Sequence, residues 1–150
     1  MAEQTSIHDL MQVTTVTVGP IRLVGLRGIE LEDQHSLFQQ MKQRKSEIQS
    51  RMNDHEYLVI LPRVVPFVAL EVTGSDAVPH GMVSQDIPEE RYAVFRFEEK
   101  FIGKFWGSIC SNENQLKYNI DLSKPRFEIF LPDLQPEGIT EWYIPLKNGA

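Results

Sequence analysis

Cysteine is all but missing: Cys110 stands alone among 150 residues, which excludes an intramolecular disulfide and a cysteine-built zinc site. Histidine offers no substitute, because His8, His35, His55 and His80 are scattered and none sits at the short spacing that zinc ligands share. No apolar run nears the ~18 residues that a bilayer-crossing helix needs, and Met1 to Ser6 has no basic segment leading into an apolar one. A basic excess is absent too. Fifteen Lys and Arg stand against 21 Asp and Glu, a net charge of −6, whereas phosphate contacts need clustered cations that release counterions. The densest basic run, Lys42 to Lys45, falls in an expected helix next to Glu47 and reads as a solvated face. Gly25 to Gly28 lacks the Lys-Ser/Thr of a phosphate loop, and no Ser-His-Asp or Cys-His pairing follows from position. The expectation is a cytoplasmic protein with no membrane segment, metal, cofactor or direct nucleic-acid contact, and with no catalytic residue to assign.

What is present is ordinary for a packed domain: 41% hydrophobic and 24% charged residues. At this length a single domain, residues 1–150, is expected to bury one core. Residues 1–11 read as an irregular lead-in. Strand-rich segments follow at Val13–Val18 and Ile21–Arg27, broken at Gly19-Pro20. Leu37, Phe38, Met41, Ile48 and Met52 recur at helical spacing, which predicts an amphipathic helix from an Asp33 cap to about Met52. Tyr57–Leu61 and Val64–Val72 read as strands around Pro62-Arg63, and Thr73–His80 as a loop at the seam between halves. Met82–Ile87 and Arg91–Phe97 are further strands. Phe101, Ile102, Phe105, Trp106, Ile109 and Cys110 make a wide apolar stripe on a second helix, with Gly103 and Gly107 on another face open to a close neighbour. On that stripe Cys110 reads as a small buried hydrophobe. Arg126–Leu131 and Ile139–Pro145 read as an antiparallel pair, and residues 111–125 carry no assignable element.

The order strand, helix, strand, strand occurs twice, in halves of about 13–73 and 81–147. A shift of 70 lays Leu131-Pro132 on Leu61-Pro62 and Glu141 on Glu71, and a shift of 69 lays Arg91 on Arg22 and Trp106 on Leu37. The expected fold is therefore α+β: a duplicated β-α-β-β unit forming an antiparallel sheet, with two long helices on one face and a central groove at the seam. Ligand sites favour such seams.

Val24-Gly25-Leu26, Ile87-Pro88 followed by Tyr92 to Phe95, Phe127 to Phe130 and the closing Glu141-Trp-Tyr-Ile-Pro-Leu146 resemble the GyrI-like family. That family includes the effector-binding domains of AraC-type and MerR-type regulators and stand-alone integron-cassette proteins. The resemblance spans residues 13–147 and is to the stand-alone members. It implies a central pocket for amphipathic, often cationic, drug-like molecules, with an acid on the last strand, here Glu141, as the cation's partner. The run Glu98-Glu99-Lys100 departs from the glycine-bearing turn common in relatives and leaves the pocket rim undefined.

Alternation on the last strand places Ile139, Glu141 and Tyr143 on one face and Thr140, Trp142 and Ile144 on the other. If the first face looks into the groove, Glu141 is a carboxylate among aromatics that gains from an incoming cation; a salt-bridged strand glutamate is the alternative. Glu71 is its expected mate in the repeat. Trp106 is a candidate pocket wall or a core residue, and Tyr92 and Tyr143 are weaker candidates of the same kind. The first reading is a non-catalytic effector-binding module that senses or sequesters a small amphipathic or cationic molecule. Two others stand beside it: a small hydrolase using Glu141 with Tyr143, and a gyrase-inhibitor-like interaction module with a protein partner or a second copy of the chain.

Overall fold

In the computed structural model, which describes residues 10–73, 78–131 and 135–147, eight of the β-branched and aromatic segments become strands. These are β1 (Gln12–Val18), β2 (Ile21–Arg27), β3 (Glu56–Leu61), β4 (Val65–Glu71), β5 (Val83–Ile87), β6 (Glu90–Glu98), β7 (Arg126–Phe130) and β8 (Ile139–Pro145). Most of the expected lead-in and the middle of the Thr73–His80 loop lie outside the described residues. The strands form one antiparallel sheet in the order β1-β6-β8-β7-β3-β4-β2-β5. The fold is α+β, as the repeated element order requires.

The sheet order is a palindrome of the repeat. In one half β2, β4 and β3 lie side by side; in the other β6, β8 and β7 do, and β3 joins β7 at the centre with Leu58 facing Glu128. The remaining strands are exchanged. β1 leads into β2 yet pairs with β6, while β5 leads into β6 yet pairs with β2. The Gly19-Pro20 break thus marks a change of partner rather than a hairpin, and each half contributes an outer strand to the other.

Register corrects one expectation. Tyr57 faces Ala69 across β3 and β4, whereas Phe127 faces Tyr143 across β7 and β8. A shift of 70 that carries β3 onto β7 must therefore become 74 to carry β4 onto β8. The same answer comes from the outer neighbours, since Leu23 faces Glu71 and Tyr92 faces Pro145. Glu71 and Glu141 are not equivalent by sheet register; the longer β7–β8 connection moves the last strand along.

Among the described residues the α-helices α1 (Gln34–Arg44), α2 (Ile102–Ile109) and α3 (Asn112–Tyr118) pack on one face of the sheet. Leu37 and Met41 of α1 and Phe105 and Ile109 of α2 pack on Leu58, Ile60, Val68, Leu70, Ala93, Phe95, Trp142 and Ile144. α1 is shorter than its periodicity predicts. After a 3-10 turn at Lys45–Glu47 the backbone extends at Ile48, turning that side chain into the core at 2% exposure, while Met52 is left exposed. Asp33 does not cap α1 with its side chain; its carboxylate accepts the backbone N–H groups of Ile29 and Glu30, each at 2.9 Å. α3, which carried no periodic signal, starts where Ser111 Oγ accepts Asn114 N–H at 3.2 Å. It ends at Asn119, a left-handed residue with φ of 56°.

The other face is apolar too: Leu23, Val59, Phe67, Ala69 and Phe127 are each 0% exposed there. No residue of a described helix belongs to that cluster, whose side chains come from strands of both halves. Gly25 lets β2 and β4 approach closely, since a Cβ there would stand 2.1 Å from the Val68 carbonyl oxygen and 2.5 Å from Ala69 Cα.

The β3–β4 turn places Arg63 and Val64 at φ of 70° and 58°. Left-handed backbone is costly for a β-branched residue and tolerated by asparagine. Val64→Asn is accordingly expected to raise stability by about 1 kcal/mol, read as a higher urea midpoint at unchanged slope.

Candidate functional site

The groove expected at the seam lies between α1 and α2, over the central strands β3, β7 and β8. It encloses about 880 Å³, within the range of small-molecule sites. Phe38 enters from α1, Trp106 from α2 and Cys110 from its C-terminal cap, Leu58 and Ile60 from β3, Phe130 from β7 and Trp142 from β8. The rings interlock: Phe38 meets Phe130 edge-on at 5.0 Å, and Trp106 meets Trp142 edge-on at 5.0 Å. These walls are apolar because they are the helix-facing positions of strands whose alternate residues serve the second core.

In this apolar setting stands a carboxylate. Glu128, at the middle of β7, faces Leu58 on one side and Trp142 on the other, and is only 8% exposed. Its Oε2 accepts the hydroxyl of Thr140 on β8, and among the described residues it forms no ion pair. The ladder between β7 and β8 carries only the pairs Phe127–Tyr143 and Glu128–Trp142, so the Glu128–Thr140 hydrogen bond holds the strands where backbone pairing gives out. Burial pushes the Glu128 carboxyl up to about 7; the Thr140 hydrogen bond works against this and the nearby Glu99 adds to it. Glu99 and Glu32 line the same cavity, and its permanent cation is Arg126. Three carboxylates against one guanidinium give the cavity a negative bias once Glu128 is ionised.

The sequence candidates divide between the two faces. Trp106 lines the cavity and is half-buried, so core and wall are both correct descriptions of it. Glu141 and Tyr143 do not face the cavity. Their alternation was read correctly, but the face that looks into the groove is the one carrying Thr140, Trp142 and Ile144. Glu141 lies 3.7 Å from Arg96, the salt-bridged alternative. Tyr143 stacks on Phe127 at 4.8 Å and 10° in the second core, where burial, followed by Glu141, raises its pKa. Tyr92 is 1% exposed against Phe127 and Tyr143, and its pKa is pushed up to about 12 by burial and then by Glu90. Glu71 accepts the Tyr57 hydroxyl at 3.0 Å on that same second face. Cys110 is exposed at the cavity rather than buried. Gly103 and Gly107 have open space, not a neighbour, where their side chains would be. Glu99 settles the rim left undefined by the Glu98-Glu99-Lys100 run, and it adds a charge there.

A second concavity of about 920 Å³, lined by Glu89, Glu90, Arg91, Lys124 and Lys147, is rich in charged groups, and Lys124 already neutralises Glu90. It holds no buried, unpaired acid. Among the described residues no cluster of His, Cys, Asp and Glu is arranged to hold a metal ion, and no helix is long and apolar enough to cross a membrane.

The GyrI-like small molecule binding domain is the family whose sequence profile matches, over residues 11–147. No curated protein sequence matches the chain. Among solved structures the fold is shared with SAV2435 bound to tetraphenylphosphonium, at 18% identity and a TM-score of 0.68, over 91% of this chain and 94% of that one. It is shared too with a putative bacterial transcription regulation protein from Staphylococcus aureus MU50, at 18% identity and 0.64, over 92% and 99%. An integron cassette protein from the mobile metagenome of Vibrio cholerae, VCH_CASS2, aligns at 10% identity and 0.56, over 92% and 96%.

Proposed function

The chain belongs to the GyrI-like small molecule binding domain family, and from that membership we propose that its seam cavity binds apolar organic cations of drug size, for sensing or sequestration, with Glu128 as the charge anchor. The observation that carries this reading is a carboxylate 8% exposed among Trp142, Phe130 and Leu58, with no ion-pair partner among the described residues. Ionising such a group unaided is costly, and a cation entering the cavity supplies the partner that water would otherwise provide. A ring face of Trp106 or Trp142 turned to a desolvated cation is worth roughly 0.5–2 kcal/mol. Glu32 and Glu99 at the rim favour approach of positive charge. The relation to a protein that holds tetraphenylphosphonium points to the same ligand chemistry.

The chain has two tryptophans, and both line the cavity. Titration with tetraphenylphosphonium at pH 8 is therefore expected to change the intrinsic tryptophan emission saturably. A linear, unsaturable change up to millimolar ligand would contradict the assignment.

A further inference from the structure

One charged group in the cavity is left unexplained by a site for cations alone. Arg126 lies on β7 two residues before Glu128 and on the same face, and it lines the same cavity. Its guanidinium stands over the Trp106 ring at 4.9 Å. Burial lowers its pKa, as for a cation without compensation, and among the described residues it makes no ion pair. Nη1 donates to the Leu122 carbonyl at 3.3 Å. Nε is buried with no hydrogen-bond partner.

That pattern is specific. With Nη1 directed at the backbone and Nε sealed from solvent, Nη2 is the nitrogen left to meet a carboxylate from the cavity through a charge-assisted hydrogen bond. Glu128 does not take it, although residues two apart on a strand are separated by only ~7 Å. Its Oε2 is turned to Thr140 instead. Among the described residues the cavity thus holds a half-buried cation and a buried anion without ion-pair partners, in a site lined by two indoles.

Resting on the reading of Glu128 as a cation anchor, we propose that the cavity is built for an amphoteric aromatic molecule, its basic nitrogen at Glu128 and its carboxylate at Nη2 of Arg126. The aromatic body lies against Trp106 and Trp142. A purely cationic ligand satisfies half of this arrangement and leaves Arg126 uncompensated beside a second positive charge.

A matched pair of probes separates the two claims: rhodamine 6G, a cationic ethyl ester, and its free acid, which carries the same cationic chromophore and a carboxylate. Their affinities are measured by fluorescence anisotropy at pH 8. The wild-type protein is expected to bind the free acid at least about tenfold more tightly than the ester. In Arg126→Gln the ratio falls to within about twofold of unity, and Arg126→Lys, which keeps the charge but not the planar group held against Trp106, keeps a smaller preference than wild type. Equal binding of the two dyes by the wild-type protein, or a preference that survives in Arg126→Gln, overturns the proposal. The wild-type comparison decides alone if Arg126→Gln fails to fold by thermal unfolding. Failure of the cation reading is a different result: Glu128→Gln would leave both dyes bound as before.

Discussion

Glu128→Gln is expected to weaken binding of tetraphenylphosphonium ten- to a hundredfold at pH 8, while Glu141→Gln binds it as the wild-type chain does. The substitution keeps size and hydrogen-bonding capacity and removes the charge, so it isolates the electrostatic part of an interaction worth about 1.5–3 kcal/mol in a partly desolvated site. Apolar burial against Trp106, Trp142 and Phe130 remains, and binding is reduced rather than abolished. The pH dependence follows from the raised carboxyl. Glu128 titrates near 7, so wild-type affinity for a permanent cation falls as pH drops from 8 to 5, and the two proteins converge at the acid end. Calorimetric titration at three pH values checks both parts. A pH-independent wild-type affinity would exclude Glu128 from the role.

The second large effect concerns the empty protein. A carboxyl whose pKa rises from its ordinary 4.5 to about 7 on folding binds more protons folded than unfolded between those values. Stability is fully present below about 4.5 and is lost as pH climbs through about 7. Glutamine carries no such penalty. Glu128→Gln is therefore expected to be more stable than wild type by about 3 kcal/mol at pH 8, with the difference vanishing near pH 4. Urea denaturation at the two pH values measures it, and a saturating cation should narrow the gap at pH 8, since it binds the native ionised form. A variant less stable than wild type at pH 8 would show that the carboxylate is compensated inside the fold.

The strands were legible because each is short, β-branched or aromatic and bounded by Pro, Gly or a charge. β8 was placed to the residue, and its two faces were separated correctly. Which face looks into the cavity was not legible from β8. Both faces are apolar, because one packs under helices and the other joins a second core built from strands of both halves, and alternation within one strand carries no label for either. The deciding signal lay on β7. In Arg126-Phe-Glu-Ile-Phe130 a carboxylate stands alone between aromatics at the middle of a strand, a position where glutamate is rarely buried without cause.

The remaining misreadings have similarly local causes. The repeat was read at shifts of 70 and 69, and the 70 that fits β3 to β7 was carried on to β4 and β8, but the β7–β8 connection is longer than the β3–β4 turn, so Glu71 was matched with the wrong residue. Apolar periodicity carried the first helix past Arg44, although Ile48 reaches the core from extended backbone. Cys110 follows the apolar stripe of α2 in sequence, yet it stands at the helix end beside the cavity opening. Residues 112–118 form a polar helix held by Ser111 and Asn119 at its ends, and such a helix leaves little hydrophobic pattern to read.

The most direct measurement is a crystal structure of the protein with tetraphenylphosphonium. The ion is expected between α1 and α2, with a phenyl ring packed on Trp106 or Trp142 and the phosphorus within ~6 Å of a Glu128 oxygen. An ion bound instead on the opposite face, against Glu141 and Tyr143, would contradict the assignment of the cavity and return the anchor to the last strand.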